Sequence, residues 1–242
     1  MTPLPTAPIS AVFSPLGDHA VTVTVGDSID ETTHRRVRAI SAALDAREIA
    51  GIVDQVPAFA SLVVHYEPER VGGDAAESPY QRLVGMLTEV LAHVGDETLP
   101  TPRTTEIPVC YGGDLGPDLP QVAAFARMSA DEVVQRHASA TYRVFMLGFV
   151  PGFAYLGMVD PDIAMPRRAT PRVRVPMGSV GIAGVQTGIY PAETPGGWQL
   201  IGQTPVRPFD PRRDDPFLMK AGDAVQFYAI ERAEFDRLKA AS

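Results

Sequence analysis

From Ala20 to Val25 hydrophobic and polar positions alternate, with Val21, Val23 and Val25 on one side and threonines on the other, the period of a half-buried strand. Between Ile29 and Glu48 the period changes: Val37, Ile40 and Leu44 recur at helical spacing with charges between them. Two further strands are predicted over Ile52 to Pro57 and Ser61 to Tyr66, separated by the break at Pro57. A second helix is predicted over Ser78 to Val94, with Ser78 as cap, Pro79 in the first turn and Gln81 at the reciprocal capping position. Its buried stripe is Leu83, Leu87, Val90, Leu91 and Val94. Strand, helix, two strands, helix is the order of a split βαβ sandwich, so the first half reads as a small α+β domain.

Gly95 to Thr105 is polar and contains prolines, which marks it as a linker and puts the expected boundary between a domain over 1–100 and one over 101–242. Beyond it, Ile107 to Tyr111 reads as a strand, followed by helices over Leu119 to Ala126 and Ala130 to His137, the latter capped by Ser129 with Glu132 three residues on. From Tyr142 to Ile230 the pattern becomes short strands between Gly/Pro turns, the signature of a barrel or sandwich. Ala224 to Ala229 is a strand after the Gly222-Asp223 turn, and Ile230 to Ala241 is a charged helical tail.

Composition narrows the function classes. Among 242 residues the formal net charge is -8, which argues against nucleic acid as the main partner, since phosphate binding needs an extended basic surface. The single cysteine, Cys110, allows no disulfide framework and no thiolate metal cluster, in keeping with a reducing compartment. The first ten residues, MTPLPTAPIS, lack the features of a signal peptide, and no apolar run is long enough to span a bilayer, so the expectation is a cytoplasmic protein with no membrane partner.

The candidate chemistry lies between Phe145 and Gly202, where glycine, proline, aromatics and arginine crowd together in ordered, loop-rich β structure. Arg167, Arg168, Arg172 and Arg174 are the dense cationic cluster of an acidic chain. In a strand Arg172 and Arg174 share a face and Val173 and Val175 the other; the arginines are a carboxylate or phosphate clamp, or else a solvated face or a partner's rim. Gly178, Gly181 and Gly184 do not have the spacing of a dinucleotide fingerprint and more simply let strands bend or approach. Gln186, Thr187 and Tyr190 follow, placed to orient an amide or carboxyl group if the strand opens into a pocket. His137 ends a helix just before this segment, where it either transfers protons or satisfies a loop carbonyl. The five histidines show no metal spacing, so no metal is expected. Trp198 would stack on a flat ligand, anchor a partner or be buried in its own barrel. The candidate catalytic residues are thus His137, Arg172, Gln186 and Tyr190, and the candidate substrate-binding residues Phe149, Phe153, Tyr155, Arg167, Arg168, Thr187 and Trp198.

These residues fall within a set of motifs: Gly116-Pro-Asp-Leu119, His137 with Tyr142-Arg-Val, Gly148-Phe-Val-Pro-Gly-Phe-Ala-Tyr-Leu156, Pro166-Arg-Arg168, Pro171-Arg172, Gly178-Ser-Val-Gly-Ile-Ala-Gly184, Gln186-Thr-Gly-Ile-Tyr-Pro191 and Pro195-Gly-Gly-Trp198. With them the chain resembles the KipI/PxpB family, the B subunits of 5-oxoprolinase, also described as allophanate hydrolase subunit 1. The resemblance implies a cyclophilin-like β-barrel after a small α+β domain. It also implies a second barrel subunit, PxpC/KipA-like, and a third, PxpA-like, which together open 5-oxo-L-proline to L-glutamate at the expense of ATP; which of them binds ATP the resemblance leaves open. Two other roles go with the same family, inhibition of a sensor histidine kinase and a carboxyltransferase-type subunit of biotin-dependent enzymes.

Overall fold

The computed structural model describes residues 9–74, 76–94, 99 and 102–241. The chain divides into two compact units, Met1–Thr101 and Pro102–Ser242. Of the stretch read as a linker, 95–98, 100 and 101 lie outside the described residues.

The first unit runs β1 (Val12–Pro15), β2 (Ala20–Thr24), α1 (Glu31–Asp45), β3 (Ile52–Pro57), β4 (Ser61–Tyr66) and α2 (Pro79–His93). Its sheet has the order β1-β2-β4-β3 with every pair antiparallel, so β2 and β3 run parallel on either side of β4. Val21, Val23, Leu62 and Val64 from the sheet meet Val37, Ile40, Leu83 and Leu87 from the helices in one core. Asp30 caps α1 by accepting from the Thr33 amide at 2.9 Å, and these hydrogen bonds hold its carboxyl down to about 2. Ser78 and Gln81 form the reciprocal capping box of α2. Strand β1 escapes the sequence pattern because it is a short, exposed edge strand ending in Pro15, a place where a missing N–H costs no ladder bond.

The second unit contains β5 (Thr104–Tyr111), α3 (Leu119–Ala126), α4 (Ala130–Ser139), β6 (Thr141–Leu147), β7 (Ala154–Gly157), β8 (Arg172–Val175), β9 (Ser179–Ala183), β10 (Gln186–Ile189), β11 (Thr194–Gly196), β12 (Gln199–Gln203), β13 (Ala224–Ala229) and α5 (Arg232–Ala241). Seven of these strands close a mixed barrel in the order β10-β7-β6-β13-β5-β12-β9, with β13 and β5 its parallel pair, while β8 and β11 form a separate two-stranded ribbon. The barrel is filled by alternate residues of its strands, among them Ile107, Val144, Leu156, Val180, Ile182, Ile189, Val225 and Phe227, all essentially inaccessible to water. Each such side chain contributes about 1.5–3 kcal/mol on burial, and together they fix which residues face outward.

Outward-facing positions on or beside β7, β9, β10 and β12 carry a second apolar layer of Phe153, Tyr190, Trp198 and Leu200, with Val175 and Ala183 packed in and Tyr155 partly buried against them. Two glycines make that layer possible. Gly181 and Gly188 are cross-strand partners on β9 and β10, and a Cβ on either would lie 3.1 Å from Trp198 atoms, so the bare backbone there is the bed on which the indole rests. Gly184, at φ +59, forms the tight β9–β10 turn, and Gly178, at φ +82, passes close to the Thr204 carbonyl. The three glycines of the 178–184 spacing therefore serve strand packing and turning.

Candidate functional site

The arginines are organised by an acid that sequence patterning did not single out. Asp118, in the turn before α3, is buried, and its Oδ1 accepts from Arg168 Nη1 at 3.2 Å and Arg172 Nη2 at 2.7 Å. Its Oδ2 accepts from the Leu200 amide at 2.7 Å, and its own amide donates to the Leu200 carbonyl at 2.9 Å. The reason is local: β12 pairs with β5 only at Gly202 and Gln203, so at Leu200 the strand edge is open and the 112–118 turn satisfies it. Gly116 is obligatory in that turn, because a Cβ would fall 2.1 Å from the Ile201 carbonyl oxygen.

Two guanidinium groups share one oxygen of a buried carboxylate, which leaves a net single positive charge on side chains that are partly exposed. Arg168 Nε and Arg172 Nη1 are buried and have no hydrogen-bond partner among the described residues. An orphaned buried N–H on a cation is expensive unless an acceptor arrives, so the pair keeps hydrogen-bonding capacity that Asp118 does not use.

The other two arginines go elsewhere. Arg174 Nε bonds Glu193 Oε2 at 2.6 Å on the exposed ribbon. Arg167 lies 6.0 Å from the centroid of the Trp198 ring, a cation–π contact. Alternation along β8 fails too: Val175 is buried but Val173 is 90% exposed. The cause is a register shift, since Thr194 pairs with Val175 but Gly196 with Arg172, four residues on one strand against three on the other.

Trp198 sits among edge-on aromatics, 5.3 Å from Phe153, 6.0 Å from Tyr155 and 6.4 Å from Tyr190 between ring centroids. Trp198, Phe153 and Tyr190 are all buried, and burial pushes the Tyr190 phenol up, against a backbone hydrogen bond at Trp198 that lowers it. Tyr190 therefore stays protonated, and its ring is the packed floor of a shelf whose accessible parts are Tyr155, Arg167 and Phe149. Phe149 is 61% exposed at φ +68, the middle residue of a γ-turn closed by the Val150 amide donating to the Gly148 carbonyl at 2.8 Å. A non-glycine residue at positive φ stores strain, and here it holds an aromatic ring out in solvent, edge-on to Phe153 at 5.6 Å.

His137 and Thr187 are not on this face. The His137 ring is fully buried inside the barrel, stacked 4.7 Å from Phe227. Thr187 Oγ1 donates to the Gly181 carbonyl at 2.9 Å, so it accepts from His137 Nε2 at 2.9 Å; Nδ1 then accepts the Tyr111 hydroxyl at 2.8 Å. Every position in this wire is used, and burial lowers the imidazole to about 3. The expectation of proton transfer by His137 and of ligand binding by Thr187 gives way to a structural wire that ties α4, β5, β9 and β10 together. Burial also pushes the Tyr111 and Tyr142 phenols well up, and Tyr142 donates to the His137 carbonyl at 2.9 Å. Gln186 opens β10 opposite Ala183 and Gly157, its side-chain amide nitrogen buried and without a partner among the described residues.

A pair of arginines on a buried aspartate, beside an aromatic shelf on a mixed β-barrel, is the arrangement in hand. Residues 11–219 match the family described as "Carboxyltransferase domain, subdomain C and D". The chain belongs to that family. It is 42% identical over 227 residues to the B subunit of 5-oxoprolinase from Bacillus subtilis (strain 168), covering 93% of this chain and 95% of that protein. It is 41% identical over 213 residues to the B subunit of 5-oxoprolinase from Escherichia coli O157:H7, covering 88% of this chain and 93% of that one. Among solved structures it superposes on TTHA0988 with a TM-score of 0.75 at 38% identity, covering 88% of this chain. Here the chain spans about 40% of the other protein's length.

Proposed function

We propose that this protein is the B subunit of a heteromeric ATP-dependent 5-oxoprolinase, which opens 5-oxo-L-proline to L-glutamate with hydrolysis of ATP. The relatives of matching length are 5-oxoprolinase B subunits at 41–42% identity, and that likeness supports the choice of reaction. TTHA0988, in which this sequence accounts for 40% of one chain, supports a barrel that works joined to other protein. The partners in this reading are a second barrel subunit of the PxpC/KipA type and a third of the PxpA type. The barrel is of the cyclophilin-like kind, the first unit is a separate α+β domain, and the complex works in the cytoplasm.

The observation that carries the assignment is the Arg168–Arg172 pair on Asp118, with one uncompensated positive charge and two unpartnered N–H groups. A lactam carbonyl resists attack by water. Phosphoryl transfer from ATP to the lactam oxygen, with release of ADP, activates the ring carbon; one water adds there and the C–N bond breaks to leave the amine and an acyl phosphate, which a second water hydrolyses to glutamate and phosphate. Both the substrate carboxylate and the transferred phosphoryl group are anions that such a pair holds by charge-assisted hydrogen bonds. Arg172 and Arg168 are the binding groups, Asp118 positions them, and Phe149, Tyr155 and the Trp198–Arg167 stack wall the substrate.

The test is 5-oxoproline-dependent ADP and glutamate formation by this chain co-purified with its partner subunits, each omitted in turn. Activity that disappears without this chain supports the reading. A complete complex that releases no ADP with 5-oxoproline overturns it.

A further inference from the structure

A groove of about 590 Å³ lies on the opposite side of β5 from the barrel core, and it is lined by residues that the site above does not use. Its floor is Pro108 and Tyr228, cross-strand partners whose neighbours Ile107, Val109 and Phe227 point inward, so these two point outward. Leu238 of α5 forms one wall, and the loop carrying Val206, Arg207 and Arg213 forms the other. That loop is well braced: Phe209 and Phe217 pair across it with ring centroids 5.1 Å apart, and the Asp210 amide donates to the Pro216 carbonyl at 3.0 Å. Gly152 lets it seat, because a Cβ there would lie 2.5 Å from Phe209 Cβ.

The charges of the groove are unbalanced. Asp210, the acid among the lining residues, is occupied by Arg212, whose Nε and Nη2 donate to its two oxygens at 2.9 and 2.7 Å. Arg213 Nη2 donates to the Arg207 backbone carbonyl at 2.7 Å, which holds the Arg213 guanidinium against the segment carrying Arg207, and both residues line the groove. Neither makes an ion pair among the described residues. Arg213 is close enough to help lower the Asp210 carboxyl, but both oxygens of that acid are held by Arg212, so in a chain of net charge -8 Arg207 and Arg213 give the apolar floor a locally positive rim. The volume is room for about twenty waters, so an inorganic anion would leave the Tyr228, Pro108 and Leu238 surface wet, whereas an apolar body displaces that water favourably.

We propose that this groove is a second ligand site, for an amphipathic monocarboxylate: an aliphatic or aromatic acid whose body lies on Tyr228, Pro108 and Leu238 and whose carboxylate is taken by Arg207 and Arg213. The site is independent of the Arg168–Arg172 pair and of the proposed reaction.

Isothermal titration of the full chain with octanoate, acetate and octylamine tests this, using the wild type, the double variant Arg207→Gln/Arg213→Gln, and Leu238→Glu. The last fills the groove with a negative charge and leaves the loop untouched, so it guards against a loop that collapses when Arg213 loses its bond to the Arg207 carbonyl. The expected result is saturable one-to-one binding of octanoate that weakens about tenfold or more in each variant, with acetate about tenfold weaker and octylamine not bound. Octanoate binding unchanged in both variants, octylamine binding as well as octanoate, or no saturable octanoate binding to the wild type would each overturn the proposal.

Discussion

Asp118 sits under two arginines and a strand edge at once, and that makes it the residue on which the arrangement of the arginine pair depends. Asparagine in its place keeps one acceptor but removes the charge facing both guanidinium groups. Severing a buried ion pair costs about 3–5 kcal/mol, but Arg168 and Arg172 keep 32% and 22% of their side chains exposed, so screening reduces the effect to about 2–3 kcal/mol. Urea unfolding of Asp118→Asn against wild type measures it, and a loss under about 0.5 kcal/mol would show the pair to be a surface interaction. His137 makes the opposite kind of claim, about pH. Its folded value of about 3 lies below the unfolded 6.5, so between these the unfolded chain takes up a proton that the folded chain refuses. Its contribution is therefore complete above pH 6.5 and falls by about 1.4 kcal/mol per unit as pH drops toward 3. Nitrogen chemical shifts of the ring should report the neutral Nε2–H tautomer throughout pH 5–8, and an imidazolium at pH 5.5 would refute the wire. From sequence the arginine cluster was visible because four like residues in an acidic chain stand out; Asp118 was not, because an aspartate in a Gly-Pro turn reads as turn chemistry until the fold brings β12 over it.

Elements bounded by local chemistry were legible in full: α3, β4 and β13 follow the sequence pattern to the residue, and the Ser129–Glu132 capping box sits where the spacing predicts. What could not be read was pairing between distant segments. β8 pairs with β11 through a bulge, which turns Val173 to solvent, and nothing local to Arg172–Val175 specifies that partner. The glycine pair under Trp198 is the same kind of fact, since Gly181 and Gly188 face each other only once β9 and β10 fold into register. It yields a sharp expectation at the scale of the sheet. Gly188→Val would place a Cβ 2.9 Å from the Ala154 carbonyl oxygen and 3.1 Å from the indole, and overpacking of this kind costs about 1–3 kcal/mol. Trp198 is the sole tryptophan and 4% exposed, so its emission should move to longer wavelength in the variant as the ring is displaced. An unshifted spectrum would mean that the indole does not rest on this pair.

For the whole molecule, the issue is whether the arginine pair serves chemistry or holds partners together, and the two roles separate experimentally. Arg168 and Arg172 spend one N–H each on Asp118 and hold a further buried N–H without an acceptor, an arrangement wasteful for a purely structural ion pair but suited to a ligand that comes and goes. An interface between subunits would instead draw on groups such as Val173, exposed on the ribbon. Arg172→Lys preserves the charge, and with it any long-range attraction between subunits, but loses the planar fork that reaches Asp118 and a bound anion together. In the assembled complex this variant should lower kcat/KM for 5-oxoproline by about tenfold to a hundredfold, worth about 1.4–2.8 kcal/mol of transition-state binding. It should co-elute with its partner subunits in wild-type proportion on size exclusion. Loss of co-elution with turnover per assembled complex unchanged would assign the pair to the interface, whereas the expected split leaves the assembly whole and places the lost energy on the substrate's negative charge.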